Sequence, residues 1–232
     1  MSKILLIESA TEVCSVTLAD NGKVIEKIEN TIGRTHATHL AVYIDQVLKK
    51  RNVSVNNLSA IALSKGPGSY TGLRIGTSLA KGLCFTNNLP LIAIPTLEIM
   101  ANGFAVSKRL ENNAILCPMI DARRMEVYTA LFNSKLELQK ETTAEILDGD
   151  SFKNILSKRK VYFFGDGASK VNEVISHQNS IVHSDYIISS EHMISLAFKR
   201  LEAKQFEDLA YFEPFYLKDF IATTPKQKIP GL

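Results

Sequence analysis

The 232-residue chain has no tryptophan and only three cysteines, Cys14, Cys84 and Cys117, none of them in a CxxC pair. That spacing excludes a zinc ribbon and a disulfide-stapled scaffold, which need closely spaced or even-numbered cysteines. The odd, scattered thiols lie in apolar stretches and are expected to be reduced and buried, as in a cytoplasmic protein. No HExxH motif is present, so the helical signature of a zinc peptidase is missing. No run approaches the ~18 apolar residues of a membrane span. The run Ile4-Leu5-Leu6-Ile7 before Glu8 is also too short for a signal peptide. Charge of one sign is scarce: 27 Lys and Arg against 24 Asp and Glu leave a net +3. That is too weak a bias to argue nucleic-acid binding by itself. Lys49-Lys50-Arg51 and Lys158-Arg159-Lys160 read as solvated helix ends.

What is present is a hydrophobic content of 45%, enough for the core of one large domain or two small lobes. The organising stretch is Ser64 to Cys84, SKGPGSYTGLRIGTSLAKGLC. A short apolar strand, Ala60 to Leu63, runs into Gly66-Pro67-Gly68, which breaks the backbone. Ser69 or Thr71 then caps a helix. Gly72, Gly76, Ala80 and Cys84 fall at i, i+4, i+8 and i+12 and form one ridge of small residues. Interior glycine costs a helix about 1 kcal/mol relative to alanine, so something close must compensate. Three accounts are open: packing in the chain's own core, an anion or phosphate at the turn, or a partner helix on the ridge.

The rest of the chain gives two similar halves. Lys3 to Glu8 reads as a strand ending on an acid, and Cys14, Val16 and Leu18 alternate as a half-buried strand. Asn21-Gly22 turns the chain into a third strand, Val24 to Ile28. A helix is expected over Arg34 to Arg51, a strand over Leu91 to Ile94 and a helix from Pro95-Thr96 to about Ala105. After a polar boundary at Ser107 to Asn113, Ala114 to Ile120 ends on Asp121 and is followed by an alternating strand, a turn at Asn133-Ser134 and a returning strand over Leu136 to Lys140. Helices are expected over Asp150 to Lys158, Ala168 to Ile175 and Glu191 to Lys204, and a strand over Val161 to Phe164. The tail with Pro214, Pro225 and Pro230 is expected to be irregular.

Repetition on this scale outranks any single motif. Two β-β-β-α-β-α units, residues 1–106 and 107–232, imply an α/β fold of the duplicated actin-like (ribonuclease H-like, ASKHA) kind. In that architecture the acid after each first strand helps hold a nucleotide, and Glu8 and Asp121 take those places. Gly66, Gly68, Gly165 and Gly167 supply the adjoining turns. The loops after the two acids, Ser9-Ala10-Thr11-Glu12 and Ala122-Arg123-Arg124, contain no glycine to admit a phosphate, so the site is degenerate. The other account has both acids bonded to backbone amides or helix ends. Gly165-Asp166-Gly167 is either a tight strand-to-helix turn or a contact to adenosine. His36 and His39 are three apart on a helix, but no third ligand accompanies them, and they read as a polar helix face rather than a metal site.

GPGSYTGLRIGTSLAKGL closely resembles the characteristic stretch of the TsaB (YeaZ) family, in which GPGS[FY]TGLRIG is near-fixed. ILLIESATEVCSVTL, RTHATHL, PLIAIPTLEIMA and IDARRMEVYTALF resemble further family motifs, with Glu8 where Asp is usual. FFGDGA and EPFYLKD are similar to weaker ones, with Lys218 in place of Arg. The resemblance implies a non-catalytic subunit that pairs with TsaD, joined by the ATPase TsaE, in forming threonylcarbamoyladenosine at position 37 of tRNAs reading ANN codons. It implies no cofactor on this chain alone, ATP or ADP only at the complex, tRNA contact only through the complex, and a homodimer when TsaD is absent. Family members pair through the two helices of the first lobe. Here that face would include His36, His39, Leu40 and Tyr43 on one helix and Tyr70, Leu73, Arg74, Gly76, Thr77 and Ala80 on the other. The competing reading is a stand-alone ATP-dependent phosphotransferase of the same fold.

Overall fold

The computed structural model describes residues 2–31, 33 and 35–218. Arg34 and the tail with Pro225 and Pro230 lie outside the described residues. The first half runs β1 (Lys3–Glu8), β2 (Cys14–Asp20), β3 (Lys23–Asn30), α1 (His36–Lys50), β4 (Ala60–Ser64), α2 (Tyr70–Asn87), β5 (Leu91–Ile94) and α3 (Thr96–Ser107). The second runs β6 (Ile115–Asp121), β7 (Glu126–Asn133), β8 (Leu138–Ile146), α4 (Lys153–Leu156), β9 (Val161–Phe164), α5 (Val171–Val174), β10 (Ser180–His183) and α6 (Ile194–Glu202). The two mixed sheets have one topology, β3-β2-β1-β4-β5 and β8-β7-β6-β9-β10. This is the duplicated actin-like α/β fold; each unit has five strands, of which β5 was expected at Leu91 to Ile94 and β10 was not.

Local chemistry explains the elements. Asn21 (φ 47°) and Gly22 (φ 79°) make the left-handed pair of a two-residue hairpin, pairing β2 with β3. Ser69 caps α2 by accepting the Gly72 N–H at 3.4 Å. Asn88 closes α2 in the left-handed region.

Several expectations need correction. The helix over Asp150 to Lys158 shrinks to one turn, because Asp148 Oδ1 takes the Asp150 N–H and the Ser151 hydroxyl and holds a tight turn where the helix would start. Ala168 to Ile175 is a 3-10 turn followed by the short α5, and Glu191 to Lys204 begins as a 3-10 turn over Ser190–Met193. β2 is buried on both faces, since Ser15 and Thr17 meet Ser190 of the second half. The chain after β10 also returns to the first sheet. α6 packs on β1 and β5, Phe212 enters the core of α1, α2 and β4, and Glu207 donates to the Leu91 carbonyl at 2.9 Å. The described residues of the second half therefore pack on both sheets.

Two cores flank the first sheet. Leu5, Ile7, Val16, Leu40, Ile44, Ile61, Leu63 and Ala80 fill one under α1 and α2. On the other face Ile4, Leu6 and Ala62 join α3 and Leu116, Ile120, Phe164, Ile188 and Met193, so this core belongs to both halves.

The small-residue ridge of α2 turns inward. A Cβ on Gly72 would strike the Ser9 carbonyl, and one on Gly76 the Ser9 hydroxyl, so Gly72 is required by backbone contact with the β1–β2 loop and Gly76 by the Ser9 side chain. Gly82, on the outer side of the same helix, has open space. Gly72→Ala is therefore expected to destabilise the chain by roughly 2–4 kcal/mol. Gly82→Ala is expected to stabilise it by about 0.5–1 kcal/mol. Chemical denaturation of the two variants checks both signs.

Candidate functional site

Glu8 ends β1 on the same face as Ile4 and Leu6, so its side chain is directed into the core shared by the two halves. It is fully buried. Its Oε1 accepts the Ala10 N–H at 2.7 Å, and its Oε2 has no hydrogen-bond partner. Burial lifts the carboxyl from 4.5 to about 7, against the opposing pull of the Ala10 N–H. Asp121 ends β6 in a different setting. It is exposed, takes the Arg123 N–H at 2.5 Å, and pairs with the Lys170 ammonium at 2.7 Å. Lys170 is itself buried and also donates to the Glu126 carbonyl at 2.8 Å. The neighbouring Asp166 accepts the Asp121 N–H at 3.0 Å, and burial pushes its carboxyl up. The two acids thus stand at equivalent strand ends in unlike states. One is shut in apolar surroundings, and the other is already neutralised by an internal cation. Lys170 was not among the candidates drawn from the sequence; its place three residues after Gly167 is the only local signal.

The glycine turns are filled by the chain itself. The Gly66 N–H donates to Thr96 Oγ1 at 3.1 Å and the Ser69 N–H to the Ala10 carbonyl at 2.6 Å. The Phe215 N–H bonds the Lys65 carbonyl at 2.7 Å, which lays the Phe215 carbonyl on the face of Gly66 where a Cβ would stand. The Ala10 carbonyl does the same at Gly68. Backbone carbonyls thus line the space beside this turn that a phosphate would need. Gly165 (φ 109°) abuts the Met119 carbonyl and Gly167 the backbone of Ile120 and Asp121, so Gly165-Asp166-Gly167 is a tight turn held against β6.

The proposed pairing face divides in the same way. Leu40, Leu73, Gly76, Thr77 and Ala80 are buried in the first core or its rim, and His36 is buried with its Nε2 2.9 Å from the Val13 carbonyl. These six cannot present side chains to a partner, because the ridge and the α1 stripe pack against β1, β2 and β4. The other four keep exposed surface as two separate pairs. His39 lies 5.6 Å from Tyr43 between ring centroids. Arg74 donates to the Tyr70 hydroxyl at 3.0 Å, and Tyr70 packs 4.9 Å from Tyr216 of the returning strap. The apolar stripe Ile75, Leu79 and Leu83 is half-buried beside the ridge. It was legible as a second i, i+4, i+8 series and was not among the residues first singled out.

The family model described as TsaD, tRNA N6-adenosine threonylcarbamoyltransferase, matches residues 23–226. The tRNA threonylcarbamoyladenosine biosynthesis protein TsaB of Bacillus subtilis is 30% identical over 74% of this chain and 74% of its own length. The chain belongs to the TsaB family. TsaB of Haemophilus influenzae is 27% identical over 98% of this chain and 97% of its own length. A crystal structure from Pseudomonas aeruginosa, described as an uncharacterized protein with similarity to peptidase YeaZ, superposes with a TM-score of 0.80 at 25% identity, covering 94% of this chain and all of that one. Among the described residues no helix of this TsaB-family chain is long and apolar enough to cross a membrane. Among those residues, too, no group of three His, Cys, Asp or Glu is placed to hold a metal.

The buried acid gives a signed prediction. Glu8 has a higher pKa in the folded chain than in the unfolded one. Its favourable contribution is complete below about pH 4.5 and is lost as pH rises through about 7. Glu8→Gln is expected to be near neutral in stability at pH 4.5. Above pH 7 it is expected to stabilise by on the order of 3 kcal/mol. Urea titrations of both proteins across that range measure the difference, and a pH-independent difference would show that Glu8 is not held as the neutral acid.

Proposed function

We propose that this chain serves the formation of threonylcarbamoyladenosine at position 37 of tRNAs reading ANN codons as a non-catalytic subunit. In this reading it pairs with TsaD through the outer surfaces of α1 and α2. TsaE and ATP act at the assembled complex, tRNA is met there, and a second copy of the chain covers the same surface when TsaD is absent. Family membership supports the pathway. The observation that carries the non-catalytic role is the state of the two strand-end acids. Glu8 is enclosed in the core and Asp121 is paired with Lys170, so neither is free to hold a nucleotide as a working site would require.

The outer side of α2 favours pairing. Gly82 lies in the interior of an 18-residue helix with nothing within 4 Å of where a Cβ would stand. Its cost to the helix is not offset by any internal contact, unlike that of Gly72 and Gly76. Close approach of a partner would offset it. Exposed Arg74 and Ser78 and half-buried Ile75 and Leu79 surround that position on the helix surface.

The decisive substitution for pairing therefore lies on the outer face of α2. Gly82→Arg is expected to leave thermal stability equal to or above that of the parent, while weakening association with TsaD at least tenfold by calorimetric titration. Unchanged affinity would place the pairing surface elsewhere.

A further inference from the structure

We infer that the segment Tyr186–Ser195 is a built-in plug that locks the two lobes into one rigid body, so that this chain does not open and close about a ligand in its cleft. The inference holds independently of which partner the outer helices bind.

The lock has a polar centre. The Ser190 hydroxyl shares hydrogen bonds with Ser15 at 2.7 Å and Thr17 at 2.6 Å, and the Ser190 N–H donates to Ser15 Oγ at 3.1 Å. Ser15 in turn donates to Glu29 at 2.8 Å. Ser15, Thr17 and Ser190 are all fully buried, so this network is shielded and mutually satisfied. A second anchor lies on α3. Asn102 Nδ2 donates to the His192 carbonyl at 2.7 Å and to Ser195 Oγ at 3.0 Å, and the Tyr186 hydroxyl donates to the Met100 carbonyl at 3.0 Å. The contact is so close that a Cβ on Gly103 would collide with the His192 ring and come within 2.6 Å of the Tyr186 hydroxyl.

Around these anchors the apolar packing is continuous. Ile188 and Met193 from the plug share one buried cluster with Ile4 and Leu6 of β1, Phe104 of α3 and Ile120 of β6. Ion pairs close the rim, Lys27 with Glu191 at 2.7 Å and Arg200 with Glu98 at 2.8 Å. Opening the lobes would expose this whole cluster at once. A hinge of the kind two-lobed enzymes use needs an interface that slides or parts cheaply, and an interface continuous with both cores does not.

Hydrogen exchange of the full chain, with and without magnesium ATP as probe, tests the lock. The amides of β1, β2, α3 and residues 188–197 are expected to share one protection level and to be unchanged by ATP. Ser190→Ala strands the buried Thr17 hydroxyl, removes the Ser190–Ser15 hydroxyl contact, and is expected to lower protection of all four segments in parallel, roughly tenfold. Gly103→Leu, which wedges α3 from the plug, is expected to do so more severely. The inference is overturned if residues 188–197 exchange at least tenfold faster than β1 and β2 in the parent. It is equally overturned if ATP alters their protection, or if Ser190→Ala loosens residues 188–197 alone.

Discussion

A helix can touch the backbone of a neighbouring loop only where no Cβ intervenes, and α2 does this at Gly72 against the Ser9 carbonyl, with Gly76 making room for the Ser9 side chain one turn on. Much of the molecule depends on that contact. It draws the β1–β2 loop over the start of α2, so that the Ala10 carbonyl takes the Ser69 N–H and covers Gly68. On the other face of β1, Glu8 is enclosed where the two halves share a core. A strand–glycine turn–helix unit of this kind has the raw geometry of a phosphate cradle. Here the cradle is consumed in packing, by Ser9 and Ala10 on one side and by the returning Phe215 on the other.

The two strand-end acids show how a duplicated fold can keep its architecture while its halves diverge. Glu8 meets burial, which favours the neutral acid. Asp121 meets an ammonium, which satisfies its charge. In the proposed reading, an enclosed acid and a neutralised one leave the outer sides of α1 and α2, not the cleft, as the working surface.

Much of this was legible in the residues. The apolar runs, the Asn21-Gly22 hairpin, the Gly66-Pro67-Gly68 break and the repetition of strand-acid-strand-turn-strand gave the two halves and most of their elements. Local signals failed where long-range contacts decide. Ser15 and Thr17 read as a solvent face because nothing nearby in sequence announces Ser190, 175 and 173 residues away. β10 has only four residues, all half-buried, and shows no apolar run. The ridge of α2 was correctly seen as a close-packing face, but periodicity identifies a face and not what lies against it. At Gly72 and Gly76 that neighbour is Ser9, and six of the ten expected pairing residues are buried against the first sheet and its loops. Lys170 and the Tyr216 strap were invisible for the same reason, since each acts on a residue more than 45 positions away.

The most direct test of the account is the mass of the species formed when this chain is mixed with TsaD from its own host, by size-exclusion chromatography with light scattering. The account predicts a defined heterodimer replacing a homodimer of this chain, formed without nucleotide bound to this chain. Two unmixed peaks, with or without TsaE and ATP, would contradict it.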